Sequence, residues 1–322
     1  MPACFDMPLD QMRHYKGTNP CAADFDEFWD RALAQLDSVD PEVSFSKANF
    51  DVPGARCFQL GFTGVGGSRI NAKLIVPDKK AEKVPAVLRF HGYSGNSGDW
   101  FDILPYAAMG CAVASMDCRG QGGSSEDRGM VSGMTWTGHI VRGLSDGPEH
   151  LYFRSVFLDT VRLARIVMAL DEVDEDRVTS TGHSQGGALS LACAALEPRI
   201  ARTAAQCPFL CDFKRVWELD LLKDAYDELN YYLRRFDPRH ERIEEIWTRL
   251  GYIDVHNLAR RVRGEVMMVV GLMDTVCPPS TQFAAFNNIA SRKSIMLYPE
   301  FKHETYYGAN DEVLKFLSFR DG

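Results

Sequence analysis

Hydrophobic positions change their period along the chain, and the changes mark the elements. Between 20 and 36, Phe25, Phe28, Trp29, Ala32, Leu33 and Leu36 recur at three- and four-residue intervals behind Asp24, which predicts an amphipathic helix capped by that aspartate. Its Phe-Trp stripe reads as packing rather than as a ligand box. From 56 to 76, alternation on both sides of Gly64-Val65-Gly66-Gly67-Ser68 predicts two antiparallel strands joined by a glycine-rich turn. No helix pattern follows that turn, so it is not read as a phosphate loop. Strands are then predicted at 85–90, 111–116, 176–181, 200–205, 265–270 and 294–298, with helices at 99–109, 156–170, 188–196, 278–289 and 310–319. Such alternation predicts a mostly parallel α/β sheet covered on both faces. Two stretches stand apart from it. Residues 125–150 are glycine-rich and read as a long loop. Residues 207–263 carry Leu222, Tyr226, Leu229, Leu233 and Phe236, then Ile243, Ile246, Trp247 and Leu250, at helical spacing. Two or three helices inserted there would cap the sheet. The expectation is one domain over 1–322, with an N-terminal helical extension (about 1–40) and a cap (about 207–263).

Composition narrows the partners. The 322 residues carry 36 basic against 44 acidic side chains, a net charge of −8, with no basic run. Nucleic acid and anionic membrane surfaces are excluded as expected partners. The longest apolar run, near 266–273, is too short to span a bilayer. The opening Met1-Pro2-Ala3-Cys4-Phe5-Asp6 has neither a basic nor an apolar segment, so no signal peptide is expected. Nine cysteines without a Cys-x-x-Cys pair read as reduced thiols in a cytoplasm. Cys207 and Cys211, four apart, resemble half of a metal site, but no matching His/Cys pair accompanies them. No metal and no cofactor are expected.

Chemistry concentrates at Thr181-Gly182-His183-Ser184-Gln185-Gly186-Gly187, a Gly-x-Ser-x-Gly pattern between a predicted strand and a predicted helix. Side chains at Gly182 and Gly186 would collide with the neighbouring strand and helix, and the turn should lift Ser184 with its hydroxyl exposed. A serine hydroxyl is a poor nucleophile unless a base adjoins it, and the base needs a third group to fix its tautomer. Asp274 and His303, each on a loop after a later strand, supply the order Ser…Asp…His expected of the α/β-hydrolase fold. Asp274 could instead cap the following helix, but Pro278 and Pro279 mark that start better. Of the rival histidines, His183 should point away from Ser184, His256 reads as a surface or packing residue, and His91 as a holder of backbone. The oxyanion of a tetrahedral intermediate would be met by the backbone N–H groups of Gln185 and Tyr93. Tyr93, Val276, Pro208 and Phe209 are candidate walls of a small acyl pocket, each of which could equally be core packing. Arg119, in a glycine turn, is expected to tie loops together through a carboxylate.

Arg119-Gly120-Gln121, Gly182-x-Ser184-Gln185-Gly186 and His303-Glu304 together resemble the signature of the acetyl xylan esterase and cephalosporin C deacetylase family, carbohydrate esterase family seven. The likeness extends to Tyr15-Lys16-Gly17-Thr18-Asn19-Pro20, Asp24-Phe25, Trp29, Arg142-Gly143, Tyr152-x-Arg154 and Phe157-Leu158-Asp159, so it spans nearly the whole chain. His183 departs from it, standing where many members carry glycine. The resemblance implies a cytoplasmic, metal-free serine deacetylase acting on small acetylated sugars and on 3′-acetyl cephalosporins, assembled as a hexamer around a central chamber. Two alternatives remain at this level. One is a hydrolase of another small ester, lactone or amide; the other is a non-catalytic binding protein on the same scaffold. Labelling by a serine-reactive phosphonate separates the second from any enzyme.

Overall fold

The computed structural model describes residues 5–78, 82–133 and 138–319. Among the described residues nine strands form one sheet: β1 (Ser44–Lys47), β2 (Ala55–Thr63), β3 (Arg69–Pro77), β4 (Val84–Phe90), β5 (Ala112–Met116), β6 (Val173–His183), β7 (Arg202–Gln206), β8 (Glu265–Gly271) and β9 (Lys293–Tyr298). Their spatial order is β1-β2-β3-β5-β4-β6-β7-β8-β9. β1, β2 and β3 are antiparallel to one another, and β3 meets β5 antiparallel. The remaining pairs are parallel. Side chains alternate between two cores, as a period of two requires. Ala86, Leu88, Ala112, Ala114 and Val270 face one, with the Tyr152–Met168 and Gln185–Leu196 helices. Val87, Val113, Ala204 and Val269 face the other, with Val313 and Leu317 of the Ala309–Leu317 helix.

The chain leaves β4 for β5 on one side and returns across it to β6 on the other. That reversal opens a crevice at the carboxyl ends of β4 and β6. Phe90 of β4 pairs with Gly182 of β6. The loop beginning at His91 and the serine turn beginning at Gly182 therefore emerge side by side.

The predicted strands are all present, and β6 extends further in both directions than its β-branched stretch suggested. β1 has no counterpart in the sequence reading because Ser44-Phe45-Ser46-Lys47 is exposed throughout and carries no alternation. The expected helix at 99–109 is split into a 3₁₀ turn, Trp100–Ile103, and a short helix, Leu104–Ala108. Pro105 cannot donate to a preceding turn, so it sits in the first turn of the second piece. Within the expected loop at 125–150, the only regular piece among the described residues is Pro148–His150; residues 134–137 lie outside the description. Asp24 makes no side-chain capping bond to the Phe25–Asp37 helix and instead meets Tyr252 and Arg31. Among the described residues no helix is long and apolar enough to cross a membrane.

Between β7 and β8 the chain inserts four helices rather than two or three: Phe213–Glu218, Asp227–Phe236, Ile243–Gly251 and Val255–Leu258. Leu222 falls outside them, and Phe236 is 40% exposed, so the apolar periodicity there overstated one helix. Buried Asp212 fastens the insertion to the N-terminal segment, and buried Asp254 fixes the Asp212 turn from within the insertion. Asp212 accepts from Tyr15 Oη (2.5 Å), Thr18 N (3.1 Å) and Asn19 N (2.9 Å), while Asp254 accepts from Asp212 N (2.8 Å) and Phe213 N (3.1 Å). His256, with Nδ1 2.7 Å from Asp254, is a buried packing histidine rather than a surface one. Gly17 lies over its ring at a φ of +95°, where a Cβ would come within 2.7 Å of His256.

Arg119 does tie loops together. Its Nε and Nη2 reach the two oxygens of Asp159 at 2.7 Å each, and Nη1 meets the Val65 carbonyl (3.2 Å) and Ser68 Oγ (3.3 Å). Arginine and aspartate are 2% and 0% exposed. A Cβ on Gly64 would stand 2.2 Å from Asp159, which accounts for the glycine at the start of that turn. Removing one partner of a buried pair strands the other charge at a cost of about 3–5 kcal/mol. Arg119→Ala should lose about that much in urea unfolding, and Arg119→Lys should rescue it only in part because lysine cannot make the paired contact. A loss of stability below about 1 kcal/mol for the alanine variant would mean the pair is not holding these loops.

Candidate active site

Ser184 occupies the turn between β6 and the Gln185–Leu196 helix at φ 59°, ψ −118°, a conformation that costs a non-glycine residue about 1–3 kcal/mol. Its surroundings enforce the turn. Ser184 N–H donates to the Gln206 carbonyl (2.9 Å), and Phe209 N–H to the Ser184 carbonyl (3.1 Å). A Cβ on Gly182 would lie 2.4 Å from the Gly186 backbone, and one on Gly186 would lie 2.1 Å from the Phe90 carbonyl oxygen, so both positions require glycine. Ser184 is only 8% exposed. The expectation of an exposed hydroxyl is therefore corrected: chain entering the insertion at Phe209 folds back over the serine.

His303 Nε2 lies 3.0 Å from Ser184 Oγ, and its Nδ1 lies 2.8 Å from Asp274 Oδ2. An ionised carboxylate can only accept, so Nδ1 carries the hydrogen and the Nε2 lone pair faces the serine. Asp274 is fully buried. Its other oxygen accepts from Val276 N (2.9 Å) and Cys277 N (2.8 Å), which fixes the carboxylate in a turn rather than on the Pro279–Asn288 helix. The histidine loop is tied to the end of β8: Met273 N–H donates to Phe301 O (3.0 Å), and Tyr306 Oη bridges Gly271 N and Lys302 O. Glu304 turns back to accept from Lys302 N (2.9 Å). Glu304 thus closes the turn that carries His303.

Gln185 and Tyr93 flank the serine, and neither backbone N–H donates to another described group. The Gln185 side chain is buried and pairs reciprocally with Gln121, at 2.8 and 3.1 Å between their amides. Gln121 Nε2 also reaches Tyr152 Oη (3.1 Å), and Tyr152 Oη meets the Arg119 carbonyl. Buried Arg119, Tyr152 and Asp159, with half-buried Gln121, are therefore linked into one support beside the serine turn. His91 behaves as expected, its Nε2 accepting from Cys118 N (3.0 Å) and its Nδ1 2.7 Å from Gly92 O. Burial holds its pKa below the ordinary histidine value.

Tyr93 and Phe209 meet with ring centroids 5.6 Å apart, and Phe209 packs against Tyr226 at 4.5 Å with the rings tilted by 53°. Pro208 packs over the start of the serine helix, 3.2 Å from where a Gly187 Cβ would stand. Val276 is half-buried against the same core, one turn from Asp274. All four expected wall residues thus stand on segments adjoining Ser184 or Asp274.

Two features escaped the sequence reading. Glu228, on the Asp227–Phe236 helix, accepts from Tyr93 Oη (2.7 Å), His139 N (2.9 Å) and Val141 N (3.1 Å), binding the insertion to the Tyr93 loop. Burial raises its carboxyl above the usual range while these donors oppose the shift. No local spacing points to a contact between residues 135 apart. His183, expected to turn away, lies with its ring centroid 5.1 Å from that of His303 and its Nε2 3.0 Å from Cys207 Sγ. Burial, and then the neighbouring His303, lower its pKa.

A mostly parallel sheet with a strained serine turn at its switch point defines an α/β hydrolase. A family model for acetyl xylan esterase (AXE1) matches residues 1–319, and the chain belongs to that family. Its membership places it among the carboxylic ester hydrolases. Acetyl xylan esterase 1 from Thermoanaerobacterium sp. JW/SL YS485 is 57% identical in sequence and superposes with a TM-score of 0.96, covering 97% of this chain and 98% of that one. An acetyl xylan esterase from Paenibacillus sp. R4 is 33% identical with a TM-score of 0.92, covering 97% and 99%. Acetyl esterase Axe7A of Xylanibacter ruminicola is 30% identical over 300 residues, 91% of this chain. The chain spans 66% of that relative's length.

Proposed function

We propose that the protein is a serine esterase that removes acetyl groups from small acetylated saccharides, such as xylo-oligosaccharides, and from cephalosporin C-type 3′-acetyl esters, through an acyl-enzyme. The observation that carries the reading is the unbroken relay from Ser184 Oγ through His303 to buried Asp274, at 3.0 and 2.8 Å. Ser184 Oγ attacks the ester carbonyl while His303 Nε2 takes its proton, and Asp274 orients the imidazole and stabilises its positive charge. The oxyanion is met by the Tyr93 and Gln185 N–H groups, donors of a kind worth about 3–4 kcal/mol each. His303 then protonates the leaving alcohol, and a water activated by the same base releases acetate. Likeness to the two solved acetyl xylan esterases supports acetyl as the acyl group. The family resemblance supports, in addition, a hexameric assembly and a cytoplasmic location.

Acyl selectivity follows from the walls. Tyr93, Pro208, Phe209 and Val276 are bulky or rigid, so an added methylene meets packed side chains at about 1–3 kcal/mol, or roughly ten- to two-hundred-fold in kcat/KM. Wild-type protein assayed on acetyl, propionyl and butyryl esters, sugar acetates included, should show that decline. Val276→Ala and Val276→Gly should flatten it while sparing acetyl turnover. Equal hydrolysis of butyryl and acetyl esters by wild-type protein, or an unmoved profile in the variants, would remove these residues from the acyl pocket.

A further inference from the structure

His183 precedes the nucleophile directly, yet no step of the proposed acyl transfer uses it. Its Nε2 stands 3.0 Å from Cys207 Sγ and 3.3 Å from the Glu304 carbonyl. One nitrogen of His183, one nitrogen of His303 and the Cys207 sulfur all lie within 4.8 Å of one another. Two imidazoles and a thiol form a donor set that suits zinc, with Zn–N near 2.0–2.1 Å and Zn–S near 2.3 Å. Tetrahedral bonds of those lengths put donor atoms about 3.3–3.6 Å apart, so side-chain shifts of about an ångström close a three-ligand site with a fourth position open. His183 also lines a cavity of about 740 Å³, together with Gly182, Gln206 and Thr305, which gives an ion a route to the ring.

We propose that His183, Cys207 and His303 form an inhibitory site for a soft divalent cation, zinc in the first place, that switches the esterase off by capturing its histidine base. The proposal rests on the reading of His303 as that base. Both of its ring nitrogens are committed, Nδ1 to Asp274 and Nε2 to Ser184. Whichever nitrogen turns to the metal, one link of the relay is lost. Coordination by Cys207 releases the thiol proton to solvent. Cys211, the partner suggested by spacing, donates instead to the Phe209 carbonyl. Asp274, Cys277 and His303 also cluster, but both Asp274 oxygens already hold N–H donors. Asp212, Asp254 and His256 form a third cluster, sealed in the core and occupied with backbone N–H groups.

Zinc titrated against esterase activity tests the site. Wild-type protein should be inhibited reversibly, with EDTA restoring turnover. His183→Gly and Cys207→Ala should keep basal turnover and raise the half-inhibiting zinc concentration at least about ten-fold, since even groups one layer outside a metal affect affinity about 10- to 100-fold. A second measurement does not depend on turnover. Cobalt added to Ser184→Ala protein should give a near-ultraviolet thiolate-to-cobalt absorption band that disappears when Cys207→Ala is added. Wild-type protein that is active but insensitive to zinc, with no band in Ser184→Ala, overturns the metal site alone, whereas a band in Ser184→Ala beside wild-type protein that lacks esterase activity overturns the function and not the site. Unchanged zinc sensitivity in both variants, or a band that survives loss of Cys207, moves the ion elsewhere and overturns the proposal.

Discussion

Ser184→Ala should lower kcat for acetyl esters about a million-fold, the scale of nucleophile loss in a well-studied serine hydrolase. The substitution removes one hydroxyl, the partner of His303 Nε2 at 3.0 Å, and leaves both backbone bonds of the turn in place. The fold should therefore survive, with a melting temperature close to wild type. The backbone strain at φ 59° also survives, because alanine meets the same steric limits as serine. Ser184→Gly should be equally inactive yet more stable, by a fraction of the roughly 1–3 kcal/mol such a conformation costs, since glycine relieves the strain but adds unfolded-chain entropy. Turnover above about a per cent of wild type in either variant, free of contaminating esterase, would sink the assignment of the nucleophile.

Asp274→Asn should cost about 10⁴ in kcat with little change in structure. The amide oxygen can still accept from Val276 N and Cys277 N, so the turn keeps its shape. The amide nitrogen then faces His303 Nδ1 as a donor, which forces the hydrogen onto Nε2 and turns it away from its work as acceptor. A burst of labelling by a serine-reactive phosphonate should slow in proportion, whereas Asp274→Ala should also lose stability through the two orphaned N–H groups. A variant within ten-fold of wild type would show that His303 is oriented by something else.

The proposed relay could be read in the chain because each member carries a local signature. Ser184 is bracketed by glycines that the turn cannot replace; Asp274 follows an apolar strand by a short loop; His303 follows the next strand in the same way. Parallel strands bring the ends of such loops to one edge whatever lies between them, so strand order and loop position sufficed. Arg119 was legible for a similar reason, since a charged residue inside a glycine turn calls for a buried partner. The partner itself, Asp159, forty residues on, was visible only as part of a family pattern.

Other features had no local signal. β1 is exposed and pairs along one edge only, so its side chains record no alternation. Burial of Ser184 depends on where the 207–209 segment folds back, and the Glu228–Tyr93 bond depends on how the inserted helices dock. Both are set by packing across sequence separations that periodicity does not measure. His183 shows the difference most directly. Local geometry of the turn predicts that it diverges from Ser184, and it does not contact the serine; yet it meets His303 and Cys207, brought there by a different loop and a neighbouring strand. The succession of strands β2 to β9 along the chain, the serine turn and the proposal of Ser184, Asp274 and His303 as a relay could be read from the sequence itself, because they depend on local conformation and on the period of burial. Enclosure of the site, its bracing by Gln121, Gln185 and Glu228, and the meeting of His183 with Cys207 were decided only by the tertiary structure, because they depend on which distant surfaces exclude water from one another.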